Sequence, residues 1–193
     1  MADPLEAWWT YLSLRTDVAI QAYDAAFTDD FALRADNPYR SIRDIHAFFT
    51  HAAMVARVFF PSPKRDKSRA QERAAILGQR VGIKGAALHS CLRTRHDLDH
   101  FDERIDAVLA QPGGFVAPAT YVARTRDDLE HLGSRPALLM LVYLQAEHAL
   151  VTYSATGDMT ITPLGPIREE LDYVRARSDD YLRRAANQPR ATT

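Results

Sequence analysis

The chain is poor in cysteine and has no long apolar run. Cys91 is the only cysteine in 193 residues, so a fold held together by disulfides is excluded. The longest apolar run, at 137–144, is far shorter than the roughly 20 residues that cross a bilayer. The first residues carry no basic stretch of the kind that opens a signal peptide. These absences predict a cytoplasmic protein with no membrane contact.

An excess of charge of one sign is also missing. The 24 basic residues are balanced by 25 acidic ones, which gives a formal net charge of -1. This balance argues against a protein whose whole surface is positively charged for DNA binding, but it leaves room for a local basic patch. A hydrophobic fraction of 47% excludes a mainly disordered chain. The length and composition predict a single domain over residues 1–193.

Apolar residues recur at helical spacing through the first 111 residues, which predicts a helical core over 4–111. The pattern predicts helices over about 4–28, over a second stretch that ends before Pro61, over 64–79 and over 84–111. Four helices with short links predict a bundle.

The pattern changes after residue 112. Residues 137–145, 148–154 and 159–162 have the composition of short strands, and a turn is predicted at 155–158. A final helix is predicted over 163–184. The predicted fold is therefore mainly α, a helical bundle with a small antiparallel β element at about 137–162, before the C-terminal helix.

One segment of the fourth predicted helix, Arg95-His96-Asp97-Leu98-Asp99-His100, concentrates residues that can carry chemistry. On a helical wheel Arg95 falls inside the apolar stripe, where it needs a partner or a cleft, while His96 and His100 lie on a neighbouring polar face. A permanent cation beside an imidazole that titrates near neutral pH fits phosphodiester chemistry, with histidine as general base. Ordinary surface or structural residues remain the alternative for so short a pattern.

Residues 92–105 resemble the signature of the HEPN superfamily (higher eukaryotes and prokaryotes nucleotide-binding). That signature is an arginine, a polar residue and, a few residues later, a histidine, which here are Arg95, His96 and His100. The resemblance implies a helical bundle that forms a homodimer, with the two motifs facing one cleft. It also implies a metal-independent endoribonuclease, without a cofactor, of a prokaryotic toxin–antitoxin or defence system. Other members only bind a nucleotide or a partner protein such as an antitoxin, so a non-catalytic HEPN module is the alternative.

The resemblance also implies a role for each motif residue. His100 would take the proton from a ribose 2′-hydroxyl, which attacks the adjacent phosphate and leaves a 2′,3′-cyclic phosphate. Arg95 would stabilise the added negative charge, and His96 would orient or assist. Two features depart from the family: the β element, and Asp102, which stands where one toxin group has a tyrosine that its antitoxin modifies.

A second copy of the pattern occurs at Arg126 and His131. It lies in a short segment between prolines with a thin apolar face, so we favour Arg95 and His100 as the site.

The two histidines of the motif have a further use, because spacing of four residues lets them share a metal ion. Glu103 lies one turn further on, and a remaining ligand would have to come from elsewhere, for example from His46 or His51 on the second helix. The chain contains no HExxH pattern, and we expect no metal.

Residues 57–84 carry eight basic side chains and two acidic ones. This local excess predicts a surface that follows a phosphate backbone, although a solvated helix face is the alternative. Trp8 and Trp9 are candidates for base stacking, with packing in the core or at a dimer interface as the alternative. The residues expected to contact RNA are Arg65, Arg69, Arg73, Lys84 and Arg93.

Overall fold

A computed structural model describes residues 5–27, 38–62, 67–130, 137–153 and 159–187. The described chain forms helices α1 (Glu6–Ala26), α2 (Pro38–Phe59), α3 (Lys67–Val81), α4 (Ala86–Asp99), α5 (Phe101–Leu109), α6 (Asp127–Glu130) and α7 (Gly165–Asn187). Its strands are β1 (Phe115–Ala123), β2 (Ala137–Leu144), β3 (Ala149–Tyr153) and β4 (Met159–Pro163). The predicted mainly α fold, with a small sheet before the C-terminal helix, is confirmed.

The helices pack as a bundle around α1 and α2. Helix α1 contacts both α2 and α7, and α2 also packs against α4. Buried residues recur along α1 at three- and four-residue steps, as the helical pattern predicts: Trp9, Leu12, Thr16, Ala19 and Ile20. None of the described helices has both the length and the apolarity needed to span a membrane.

The fourth predicted helix is not continuous. The single helix predicted over 84–111 is in fact α4 and α5, and the break falls at His100, whose backbone dihedrals (φ -107°, ψ 37°) leave the helical region. The His100 carbonyl accepts a hydrogen bond from Nε of Arg104, at 3.4 Å. The break places the motif histidine between two helices.

The sheet has the strand order β1-β2-β3-β4. Strands β2, β3 and β4 pair antiparallel, as predicted. Strand β1 is an addition to the prediction, and it pairs parallel to β2. Its register shifts between Ala117 and Thr120, where Pro118 has no N–H to donate to the ladder. The turn predicted at 155–158 lies outside the described residues.

The sheet has a buried cluster on each face, because side chains alternate along its strands. Tyr143 and Leu150 belong to the main core, which the helices share. Val142, Leu144 and Val151 belong to a second, smaller cluster, against which Leu129 packs. Among the described residues, the sheet shares the main core with the helices through the face that carries Tyr143 and Leu150.

His148 links the sheet to α1. Its Nδ1 lies 2.6 Å from the hydroxyl of Tyr143, and its Nε2 is hydrogen-bonded to the hydroxyl of Tyr23. Its backbone φ is +45°, which is uncommon for a residue other than glycine. Burial lowers the pKa of His148 and raises the pKa of both tyrosines, so the neutral ring bridges two protonated hydroxyls.

Candidate active site

The start of α4 is fixed by a glycine and by a distant carboxylate. Gly85 precedes the helix with φ +77°, and a Cβ there would collide with the ring of Phe60. Glycine offers no side-chain cap. The carboxylate of Glu170 on α7 supplies one, because its Oε2 accepts the backbone N–H of Leu88 at 2.9 Å.

Three polar links tie α4 and α5 to the sheet. The hydroxyls of Thr94 and Thr162 lie 2.7 Å apart in the core. Thr152 donates to Oδ2 of Asp97 at 2.9 Å, and both residues are buried. Since buried polar groups are costly unless they are paired, these links fix how α4 sits on the sheet.

The third link is Arg104, a buried cation of α5. Its guanidinium donates to the carbonyl of Tyr153 on β3 as well as to that of His100. Burial lowers the pKa of Arg104, and the nearby Asp97 opposes that shift. Arg104 thus connects the break at His100 to the sheet. Arg104 is not among the site residues predicted from the sequence, although its place four residues after His100 was a usable signal.

Arg95 lies at the margin of the apolar stripe rather than inside it. The buried positions of α4 are Leu88, Cys91, Thr94, Asp97 and Leu98. The Arg95 side chain is 22% exposed, and its Nε lies 3.0 Å from Oδ2 of Asp99 one turn further on. The expectation that Arg95 needs a partner is met by this ion pair on its own helix.

His96 and His100 are both exposed, and their rings lie together. The ring centroids are 4.4 Å apart, at an interplanar angle of 57°. Nδ1 of His100 lies 3.2 Å from Oε1 of Glu103. A carboxylate can only accept, so Nδ1 carries the proton in this contact. In the neutral form of the ring, Nε2 is therefore the nitrogen that can take a proton.

His46 of α2 lies close enough to Asp99 for the carboxylate charge to affect its pKa. Burial lowers the pKa of His46, and the negative charge of Asp99 raises it in part. Asp99 therefore acts on both Arg95 and His46. His51 is elsewhere, 3.3 Å from Nη1 of Arg15. No group of three histidine, cysteine or acidic side chains in the described chain is arranged to hold a metal ion.

The arginine of the second copy of the motif, Arg126, forms hydrogen bonds with a nearby carboxylate. Arg126 makes two hydrogen bonds of 2.6 Å to the carboxylate of Glu147. Asp128 accepts the backbone N–H groups of Arg124 and Thr125, at the start of α6. His131 lies outside the described residues.

The residues expected to contact RNA differ in their exposure. Arg69 on α3, Lys84 before α4 and Arg93 on α4 are exposed, whereas Arg65 lies outside the described residues. Arg73 is half-buried, and its guanidinium stacks over the ring of Trp8 at 4.0 Å. Trp9 is buried against Tyr181, so it packs in the core and is not available for base stacking.

Comparison of the chain with models of protein families, with curated proteins and with solved structures found no match. The case for a function therefore stands on the side chains around His100. They are two neighbouring imidazoles and the carboxylate of Glu103 at the exposed break between α4 and α5, together with the Arg95 guanidinium, which pairs with Asp99 near the end of α4.

Proposed function

We propose that this protein is a metal-independent endoribonuclease of the HEPN type, which cleaves RNA through attack of a ribose 2′-hydroxyl on the adjacent phosphate. The contact between Nδ1 of His100 and the carboxylate of Glu103 carries the proposal. A histidine held in this way has a fixed tautomer, and its other ring nitrogen is available as a general base. Nε2 of His100 is that nitrogen.

Arg95 supplies the positive charge that the reaction needs. Cyclisation adds negative charge to the phosphate, and an arginine can bind two of its oxygens at once. Nε of Arg95 is the atom that contacts Asp99. A phosphate that displaced Asp99 would meet the whole planar donor edge of the guanidinium. His96 lies against His100 and would orient the base or assist it.

The proposal includes the setting that the resemblance implies. The protein would act as a cytoplasmic homodimer, with both Arg95 residues lining one cleft, and an antitoxin or other partner would hold it in check. A two-fold axis brings like residues together, and a phosphate between two arginines would relieve their repulsion. Asp102 makes control through a modified tyrosine at that position inapplicable to this chain.

The test is cleavage of single-stranded RNA in the presence of EDTA. The wild-type protein should cleave, His100→Ala should not, and Arg95→Ala should lose at least about a hundredfold in rate, as expected when a charge stabiliser is removed. Arg183→Ala, at an exposed arginine of α7, is the matched control and should cleave like the wild type. Equal cleavage by wild type and His100→Ala would overturn the proposal.

A second candidate is a non-catalytic module that binds a nucleotide or a partner protein. The ion pair between Arg95 and Asp99 favours it, because a carboxylate already lies against the guanidinium that a reacting phosphate would need. This candidate predicts no cleavage by any variant. It also predicts nucleotide or partner binding that Arg95→Ala weakens and His100→Ala leaves intact.

A further inference from the structure

A row of aromatic and cationic side chains runs along α1, beside its buried face. Trp8, Tyr11 and Arg15 follow one another at steps of three and four residues and are all half-buried. The rings of Trp8 and Tyr11 meet edge to face, with centroids 5.8 Å apart. The guanidinium of Arg15 lies over the ring of Tyr11, at 5.2 Å.

Helices α2 and α3 extend this row at both ends. Arg73 of α3 stacks over Trp8 at 4.0 Å, and Arg15 contacts His51 of α2 at 3.3 Å. Arginine can only donate a hydrogen bond, so Nδ1 of His51 accepts it and the ring is neutral. Burial and the charge of Arg15 both lower the pKa of His51, which keeps it neutral at pH 7. The resulting row is Arg73, Trp8, Tyr11, Arg15 and His51, called the α1 row below.

The two arginines of the α1 row have no counter-charge within the described chain. Neither Arg15 nor Arg73 lies within ion-pair distance of a described carboxylate, whereas Arg95, Arg126, Arg168 and Arg184 each have one. In both cases Nε is shielded from solvent and has no hydrogen-bond partner among the described residues. Unpaired, partly desolvated guanidinium groups attract an external anion more strongly than solvated ones do.

We propose that the α1 row is a binding site for single-stranded RNA, separate from the residues around His100. Arg15 and Arg73 would contact phosphates, and bases would stack on the exposed parts of Trp8 and Tyr11. The choice of RNA as the ligand rests on the proposed function. The site itself rests on the geometry of the row.

The alternation of rings and cations favours RNA over an acidic peptide. Single-stranded nucleic acid offers a phosphate and a flat base at every step, and proteins bind it with cationic side chains interleaved with aromatic ones. An acidic peptide would use the two arginines but leave the rings without a role. Arg73, at one end of the row, also belongs to the basic stretch at 57–84, which would continue the path of the backbone.

The test measures binding of a fluorescent single-stranded RNA in EDTA, with the His100→Ala protein as the background so that cleavage does not interfere. Arg73→Gln and Arg15→Gln should each weaken binding at least tenfold. Each should also lower the slope of log affinity against log salt by about 0.7, the value for one phosphate contact on a single strand. Arg177→Gln is the matched control, since Arg177 stacks in the same way on Tyr173 of α7, outside the row. It should bind like the background protein.

Further variants separate charge, stacking and folding. Arg73→Lys keeps the charge and should retain the salt slope, while Trp8→Leu should weaken binding and leave the slope unchanged. Binding that Arg15→Gln and Arg73→Gln leave unaltered, with folding verified by thermal unfolding, would overturn the site. So would tighter binding of a poly-glutamate peptide than of RNA. If the wild-type protein binds RNA through these arginines but cleaves none, the α1 row stands as an RNA-binding site and only the proposed ribonuclease activity is overturned.

Discussion

Asp99 lies 3.0 Å from Nε of Arg95, and its charge partly offsets the lowering of the pKa of His46 that burial causes on the neighbouring helix. One exposed carboxylate thus influences a cation of the motif and an imidazole outside it. In the free protein Asp99 occupies the position that a substrate phosphate would take on Arg95. The two candidate functions differ in whether that carboxylate is displaced.

Replacement of Asp99 by asparagine should strengthen RNA binding several-fold. The change releases Arg95 and removes a negative charge that repels phosphate. Because the ion pair is partly exposed, its loss should lower the free energy of unfolding by only about 0–1 kcal/mol. Fluorescence binding assays and urea unfolding measure the two effects, with Asp102→Asn as a control at an exposed acid of α5. Weaker RNA binding by Asp99→Asn would argue that Asp99 helps the site rather than masks it.

Replacement of Arg104 by methionine should destabilise the fold by about 3 kcal/mol, because two carbonyls would lose a buried donor and Asp97 would lose a nearby positive charge. RNA cleavage should fall as well, since the chain at His100 loses its anchor. Arg183→Met, at an exposed position of α7, should leave both quantities unchanged. Chemical unfolding and cleavage rates test this. A stable Arg104→Met protein with an altered rate would mean that Arg104 acts on the reaction and not through the fold.

The helices of the core could be predicted from sequence because their buried faces repeat at the helical period. The break at His100 could not, since no proline or glycine marks it and Arg104 reaches a strand far along the chain. Strand β1 escaped prediction for a related reason: its partner β2 is parallel and is reached only through α6, so no hairpin signal joins them.

The motif could be found from sequence, but its partners could only be guessed. Glu103 contacts His100 at a spacing of three residues, and Asp99 contacts Arg95 at a spacing of four. A helical wheel shows that these contacts can form, but it does not show that they do. Trp8 and Arg73 could be proposed from sequence as RNA contacts, but the α1 row that joins them could not. It depends on how α2 and α3 pack against α1, and only that packing puts Arg73 over Trp8 and His51 beside Arg15.

Stability should fall as the pH drops below about 6.5, the pKa of histidine in an unfolded chain. Burial lowers the pKa of His148 in the folded protein, so the unfolded chain takes up the proton first as the pH falls. The loss should end once the folded form is protonated too. His148→Asn removes this contribution, and asparagine tolerates the positive φ at this position. The contributions of His46 and His51 have the same sign and remain.

Urea unfolding between pH 5 and pH 7.5 measures this effect. The free energy of unfolding of His148→Asn should depend less steeply on pH than that of the wild type. Parallel curves for the two proteins would show that His148 takes up its proton equally well in the folded and unfolded states.

The chemistry of the cleaved RNA ends tests the central claim most directly. A single-stranded RNA is incubated with the wild-type protein in EDTA, and the ends of the fragments are identified by mass spectrometry. Attack by the 2′-hydroxyl, with His100 as base, predicts a 2′,3′-cyclic phosphate on one fragment and a 5′-hydroxyl on the other, and no fragments from His100→Ala. Fragments that end in a 3′-hydroxyl and a 5′-phosphate, or the same fragments from His100→Ala, would contradict the account.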